Sequence, residues 1–245
     1  MEQGTTKMDK EMIKIDKIYN CDCLVGIKDI PNNSIDCIIT DPPYLLDSSG
    51  GGASALAKRS RRLKDSIEFI SNGFDYENLF DEFIRVCKIP NMLIFCSNKQ
   101  ISQTMSFFEG KGLKTTLLIW QKTNPMPTGN NAYISDVEFV VYVHDKGAYF
   151  GNDAPLEFKK KVYTSPLVKE GGYHHTQKSV NHIRRYIMVH CPPNGVVLDT
   201  FMGSGTTALA CIKEKRHFIG FEIDKKYIDI ANERINNETR QLTLF

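Results

Sequence analysis

The sequence lacks the features that mark several large classes of protein. No stretch of its 245 residues is both apolar and long enough to cross a bilayer, and residues 1–10 are polar, without the apolar core of a secretory signal. The seven cysteines form no Cys-x-x-Cys pair, and their odd number gives no disulfide framework. We therefore expect a cytoplasmic protein with reduced thiols, no membrane association and no metal site.

A strong net charge and internal repeats are also lacking. Lys and Arg number 31 against 29 Asp and Glu, a formal charge of +2, so any binding to nucleic acid would depend on local basic patches. No internal repeat is visible. The length suits one large α/β domain, and we expect a single domain over residues 1–245, with loop excursions at about 45–75 and 124–175.

What the sequence does contain is an alternation of apolar strands and amphipathic helices. The predicted strands cover residues 35–40, 92–96, 115–120, 137–143, 196–198 and 218–221. The predicted helices cover residues 76–86, 99–109, 176–191, 206–215 and 226–236, and residues 146–173 are loop-rich. Strands that alternate with helices indicate a mostly parallel sheet covered on both faces.

A glycine-rich turn follows the strand that ends at Asp199. The residues Gly203-Ser204-Gly205 allow a sharp turn and close approach of a ligand, and Thr206 or Thr207 can cap the next helix. The following strand ends at Glu222, where nucleotide-type folds place an acid that accepts ribose hydroxyls. Any tight strand-to-helix turn can use Gly-x-Gly, but this order of strand, turn, helix, strand and acid favours a cofactor site.

A second motif, Asp41-Pro42-Pro43-Tyr44, ends the first predicted strand, where open α/β sheets bind their ligands. The Asp41 carboxylate and the Pro42 carbonyl can accept both hydrogens of an amino group and draw its nitrogen toward tetrahedral geometry. The Tyr44 ring can stack on a base that has left its helix. The alternative is an acidic turn after a buried strand, since Asp-Pro is common in turns.

Together these motifs resemble the amino-group DNA methyltransferases of the permuted, beta-type order, in which the catalytic motif precedes the cofactor turn. The resemblance runs from about Lys14 to Asn236, and small bacterial adenine-N6 methyltransferases are the most similar members. It implies a Rossmann-like, doubly wound, mostly parallel sheet with an antiparallel strand near one edge. It further implies S-adenosylmethionine as cofactor and double-stranded DNA as partner. Asp at the first motif position leans toward adenine, and Ser toward cytosine N4.

The resemblance assigns roles to individual residues. Asp41, Pro42, Pro43 and Tyr44 are catalytic. Asp22 lies near the cofactor adenine, and Glu222 binds the ribose. The helix that Thr176, Gln177 and Lys178 begin faces the cofactor carboxylate. The other cofactor residues are Asp41, Asp199, Phe201, Gly203, Ser204, Gly205 and Thr206.

Basic residues after the catalytic motif are candidates for DNA contacts. Arg59, Arg61, Arg62 and Lys64 follow a glycine segment and could bind phosphates, although a solvated charged helix face is as common. The family also suggests a homodimer and a cognate restriction enzyme. Rival functions are a cytosine-N4 or RNA amino methyltransferase and a catalytically inactive regulator that binds cofactor or DNA. The sequence argues against cytosine-C5 methylation, which needs a nucleophilic cysteine, because no Pro-Cys dipeptide occurs in it.

Overall fold

The structure is a computed structural model that describes residues 13–43, 73–125, 133–166 and 178–242. Within them a single sheet contains the strands β1 (Lys17–Asn20), β2 (Cys37–Thr40), β3 (Asn91–Cys96), β4 (Lys114–Lys122), β5 (Val137–His144), β6 (Val162–Ser165), β7 (Val196–Asp199) and β8 (His217–Glu222). The helices are α1 (Cys23–Gly26), α2 (Tyr76–Val86), α3 (Ile101–Gly110), α4 (Val180–His190), α5 (Thr206–Lys213) and α6 (Lys225–Leu242). Short 3-10 turns lie at Ile27–Asp29 and Leu156–Lys159.

The strand order across the sheet is β1-β8-β7-β2-β3-β5-β4-β6. β5 runs antiparallel to both of its neighbours, β3 and β4, and the other adjacent pairs are parallel. The predicted mostly parallel sheet with an antiparallel strand near one edge is therefore confirmed. β7 and β2 are neighbours near the centre of the sheet. From β2 the chain continues to β3 on one side, and from β7 it continues to β8 on the other side. The strand order therefore reverses between β7 and β2, and the carboxyl ends of these two strands form the crevice where such sheets bind ligands.

Helices cover both faces of the sheet, which explains why the central strands are mostly apolar. All residues of β2 and β3 are buried. On one face the core contains Ile183 of α4, Leu209 of α5 and Ile228 of α6. On the other it contains Phe83 of α2 and Phe108 of α3. A strand buried on both sides gains from an unbroken run of β-branched and other apolar residues, which is the pattern that predicted these strands.

Two edge strands were missed by the sequence analysis. β6 lies inside the region that we expected to be loop-rich, residues 146–173, and pairs with β4 through Ile119 opposite Val162. Its side chains alternate between exposed and half-buried, so it lacks the apolar run of a central strand. β1 at the other edge is short and has a single fully buried residue, Ile18. Both strands are stabilised by pairing with a neighbouring strand, and their own residues do not show the apolar pattern of a central strand.

The helix bounds also differ from the prediction at several ends. α4 begins at Val180, after the N-cap Ser179, and not at Thr176. α6 continues to Leu242, beyond the predicted end at residue 236. Residues 44–72, 126–132 and 167–177 lie outside the described part of the chain, so the loop excursions predicted there stay predictions. No helix in the described ranges is apolar over a length that would span a bilayer.

Candidate active site

The two sequence motifs meet at the carboxyl ends of the central strands. β2 and β7 pair in parallel with Ile38 opposite Leu198, so the residues that follow each strand lie side by side. The hydroxyl oxygens of Thr40 and Thr200 are 2.9 Å apart in a buried hydrogen bond that joins the two strand ends. Asp41 and Asp199 therefore border the same crevice, although 158 positions separate them in the sequence.

The glycine turn is fixed by contacts from β8 and α6. Gly203 and Gly205 have φ angles of 53° and 83°, the left-handed region that favours glycine. The amide of Gly203 donates to Oε2 of Glu222 at 2.8 Å, and a guanidinium nitrogen of Arg234 donates to the carbonyl of Ser204 at 2.5 Å. A β-carbon at Gly205 would lie 2.8 Å from Cβ of Ala231, so the turn also packs tightly against α6.

The buried carboxylate of Asp199 accepts hydrogen bonds from residues on both sides of the glycine turn. Its Oδ1 accepts from the amide of Phe201 at 3.0 Å, and its Oδ2 accepts from the hydroxyl of Thr207 at 2.6 Å. Burial raises the pKa of Asp199 to about 6, although these two hydrogen bonds favour the ionised form. The prediction that Thr206 or Thr207 caps α5 is wrong: the N-cap is Gly205, without a side-chain bond, because Thr207 is turned toward Asp199.

Two further acids, Asp22 and Glu222, lie at the carboxyl ends of the edge strand β1 and of its neighbour β8. Asn20 is opposite Glu222 in the register, and its side-chain amide donates to the Glu222 carbonyl at 3.0 Å. Asp22 caps α1 by accepting from the amide of Leu24 at 2.7 Å. Glu222 accepts from the amides of Gly203 and Asp224, and burial raises its pKa. Asp22, Glu222 and the glycine turn thus lie next to one another at the carboxyl ends of the strands.

The carboxylate of Asp41 has two unlike oxygens. Oδ2 lies 2.7 Å from the ammonium nitrogen of Lys178, whereas Oδ1 is buried and has no hydrogen-bond partner among the described residues. The ammonium of Lys178 is also 2.8 Å from Oε2 of Glu138, and Oε1 of Glu138 is 2.8 Å from Lys122. Burial alone would raise the pKa of Glu138, but the two lysines hold it below its ordinary value.

The backbone after Asp41 is held by side chains from α2 and the start of α3. The hydroxyl of Tyr76 donates to the carbonyl of Pro43 at 2.5 Å, and the side-chain amide of Gln100 lies 3.5 Å from the same oxygen. Burial raises the pKa of Tyr76. The Phe74 ring packs edge-on against both Tyr76 and Phe201, with ring centroids 4.9 and 5.8 Å apart. This aromatic group links the segment after β2 to the glycine turn after β7.

Comparison with known proteins identifies the family. The family model described as DNA methylase, for N6 and N4 methyltransferases, matches residues 35–233. The chain belongs to this DNA methylase family.

Individual relatives agree with that assignment. The methylase is 29% identical to the type II methyltransferase M2.LlaDCHI of Lactococcus lactis subsp. cremoris, over 89% of this chain and 88% of the relative. It is 31% identical to the type II methyltransferase M2.DpnII of Streptococcus pneumoniae, over 84% of each chain. Among solved structures, the M1.HpyAVI–SAM complex superposes with a TM-score of 0.69 at 30% identity, covering 90% of this chain and 98% of the other.

The structure places part of the predicted site of the methylase. It brings together Asp22, Asp41, Pro42, Pro43, Lys178, Asp199, Phe201, Gly203, Ser204, Gly205, Thr206 and Glu222 along the strand ends. Tyr44, Thr176, Gln177, Arg59, Arg61, Arg62 and Lys64 lie outside the described residues, so their roles stay predictions. Lys178 was expected to begin a helix, but it precedes the N-cap Ser179, and its ammonium contacts Asp41.

Four residues of the methylase site, Tyr76, Gln100, Lys122 and Glu138, were missed by the sequence analysis. Glu138 had one visible signal, a charged residue near the start of an otherwise apolar strand. Because β5 runs antiparallel to β3, with Phe139 opposite Cys96, the first residues of β5 lie where β3 ends. An antiparallel strand near one edge was expected, but not which strand it is, and so the sequence could not bring Glu138 to the side of Lys178 and Asp41.

Proposed function

We propose that this DNA methylase transfers a methyl group from S-adenosylmethionine to the N6 amino group of adenine in double-stranded DNA. The observation that carries the proposal is the buried Oδ1 of Asp41, which has no hydrogen-bond partner among the described residues. A buried acceptor without a donor costs about 1–3 kcal/mol, so this oxygen favours a ligand that brings an N–H group. It lies beside the glycine turn, where the cofactor would be held.

The residues present fit S-adenosylmethionine, which supplies an electrophilic methyl group when bound. No side chain caps the amino end of α5, so its first amides can receive a carboxylate. Each oxygen of Glu222 accepts one backbone amide and keeps a lone pair for a ribose hydroxyl. Phe201, Gly203, Gly205 and Thr206 would surround the methionine part, with Asp199 shaping the turn and Asp22 near the adenine.

The chemistry at the target amino group follows from Asp41 and Pro42. An exocyclic amino nitrogen is a poor nucleophile, because its lone pair is conjugated with the ring. Oδ1 of Asp41 accepts one hydrogen of this group and the carbonyl of Pro42 accepts the other, which draws the nitrogen toward tetrahedral geometry and frees the lone pair. The base has to leave the duplex to reach this position, and Tyr44 would stack on it.

The preference for adenine rests on Asp41, since family members with Asp at this position lean toward adenine. A cytosine-N4 enzyme would use the same two acceptors on another amino group, which makes it the second candidate.

The basic residues Arg59, Arg61, Arg62 and Lys64 would contact phosphates. We further propose a cytoplasmic location, a homodimer and a cognate restriction enzyme; the relatives named as type II methyltransferases support the last of these.

The test compares the wild type with Asp41→Ala on unmethylated plasmid DNA and tritiated S-adenosylmethionine, followed by mass spectrometry of the nucleosides. We expect N6-methyladenine from the wild type. For Asp41→Ala we expect a rate loss of about 10²–10³, the size observed when one polar group that stabilises a transition state is removed. The affinity for S-adenosylmethionine, measured by calorimetry, should be unchanged. Asp229→Ala is the matched control, because Asp229 is exposed on α6 in a surface ion pair with Lys225.

Two outcomes would overturn parts of this proposal. Wild-type methylation by Asp41→Ala would show that the carboxylate is not needed for transfer. N4-methylcytosine in place of N6-methyladenine would keep the mechanism and correct the base.

A further inference from the structure

Four charged side chains of alternating sign form a connected row behind the proposed catalytic carboxylate. The row runs from Asp41 through Lys178 and Glu138 to Lys122, with contacts of 2.7, 2.8 and 2.8 Å. Its members come from the segment after β2, the segment before α4, and the strands β5 and β4. The row therefore connects the parallel half of the sheet, which carries the catalytic motif, to the antiparallel half.

Lys178 is the central member and the most enclosed. Its side chain is 9% exposed, against 12% for Lys122, and its ammonium lies 4.8 Å from the centre of the Phe95 ring. A buried ammonium needs negative charge close by to offset the loss of water, and two carboxylates provide that charge here. A lysine side chain has a flexible stem, so the second carboxylate restricts the ammonium to a position beside Asp41.

Glu138 is well suited to fix that position. It is the second residue of β5 and is paired with Trp120 of β4, and the next residue, Phe139, is paired with strands on both sides. Lys122, the last residue of β4, neutralises the other oxygen of Glu138. Glu138 thus presents an oriented carboxylate to Lys178 from a rigid strand and not from a loop.

We propose that Lys178 is a positioning residue for methyl transfer: it holds Oδ2 of Asp41, so that Oδ1 faces the target amino group, and Glu138 in turn holds Lys178. This inference rests on the proposed function, because it assigns Asp41 as the acceptor. It differs from the role expected for Lys178 on the cofactor carboxylate. A lysine that binds the cofactor sets the affinity for it, whereas a lysine that orients Asp41 sets the rate of transfer once both substrates are bound.

The experiment separates these two quantities in Lys178→Met, which keeps the length of the side chain and removes its charge. We expect kcat to fall by about 10- to 100-fold, as when a partner that orients a directly acting group is lost. The calorimetric Kd for S-adenosylmethionine and the KM for plasmid DNA should stay within about threefold of the wild type, since such contacts are made by other residues. Lys114→Met, an exposed lysine at the start of β4, is the matched control and should keep wild-type values.

Glu138→Gln provides an independent test with a smaller change. The amide keeps the shape of the side chain but weakens the hold on Lys178, so we expect the same split, a lower kcat with unchanged Kd, and a smaller loss than in Lys178→Met. This variant also serves if Lys178→Met does not fold, as judged by circular dichroism.

The results distinguish the inference from the function on which it rests. A raised Kd for S-adenosylmethionine with unchanged kcat in Lys178→Met would overturn the positioning role and assign the lysine to the cofactor. Wild-type kcat in both variants would also overturn it, while a dead Asp41→Ala would leave the proposed function intact. If Asp41→Ala itself were fully active, the proposed role of Asp41 would be wrong, and the positioning role of Lys178 would be wrong with it.

Discussion

Substitution of Gly205 by alanine should destabilise the methylase for two separable reasons. The φ angle of 83° costs an L-residue about 1–2 kcal/mol in the left-handed region. The new β-carbon would also lie 2.8 Å from Cβ and 3.2 Å from Cα of Ala231, a contact at which α6 or the turn has to shift. Overpacking of this kind costs about 1–3 kcal/mol. We expect a total loss of about 2–5 kcal/mol, a large part of the stability of an ordinary domain.

Gly203→Ala is the matched control for the conformational part of this cost. Its φ of 53° is also left-handed, but a β-carbon there would meet no atom closer than the Phe201 carbonyl at 4.0 Å. Urea unfolding followed by circular dichroism should give a loss of about 1–2 kcal/mol for Gly203→Ala. In a double-mutant cycle with Ala231→Gly, the coupling energy between the two substitutions should be at least about 1 kcal/mol, since Ala231→Gly removes the contacted methyl group. Equal losses in the two alanine variants, with no coupling to Ala231, would refute the packing argument.

Two further predictions concern the catalytic segment and the buried acid. Tyr76→Phe removes the hydroxyl donor to the Pro43 carbonyl, so methylation assays should give a kcat lowered about tenfold at an unchanged Kd for S-adenosylmethionine; an unchanged kcat would mean that this hydrogen bond does not position the segment. Burial raises the pKa of Asp199 from 3.8 to about 6, so the folded protein binds a proton that the unfolded chain releases. Its contribution is therefore fully present well below pH 4 and is lost as the pH rises through 6. Urea titrations should find that the stability of the wild type relative to Asp199→Asn falls by about 3 kcal/mol between about pH 3 and about pH 7, and a flat difference would contradict the assigned shift.

The sequence predicted the elements that have a clear apolar pattern. β2, β3 and β5 are apolar runs inside a covered sheet, and α2 was predicted with its observed bounds because one face alone is apolar. β1 and β6 were missed because an edge strand is stabilised by its neighbour, and its own residues need not be apolar.

For the site, the predictable part was the part encoded in contiguous motifs. The residues from Asp41 to Pro43 and from Asp199 to Thr206 each follow a recognisable strand, and the order of the two motifs predicted that they act together. The row behind Asp41 was not predictable in this way. Glu138 reaches it because β5 reverses direction in the sheet, and Lys122 because β4 ends beside the start of β5. Tyr76 reaches Pro43 from a helix that follows a segment outside the described residues.

The central position of β2 between β7 and β3 has a consequence for how the enzyme is made. During synthesis, β2 leaves the ribosome long before β7, and β1 long before β8, so both wait for partners from the far end of the chain. The Thr40–Thr200 contact that joins the two strand ends forms only after β7 has been made. Premature termination before β7 thus yields a product with exposed strand edges and no crevice, and we expect cells to degrade this product.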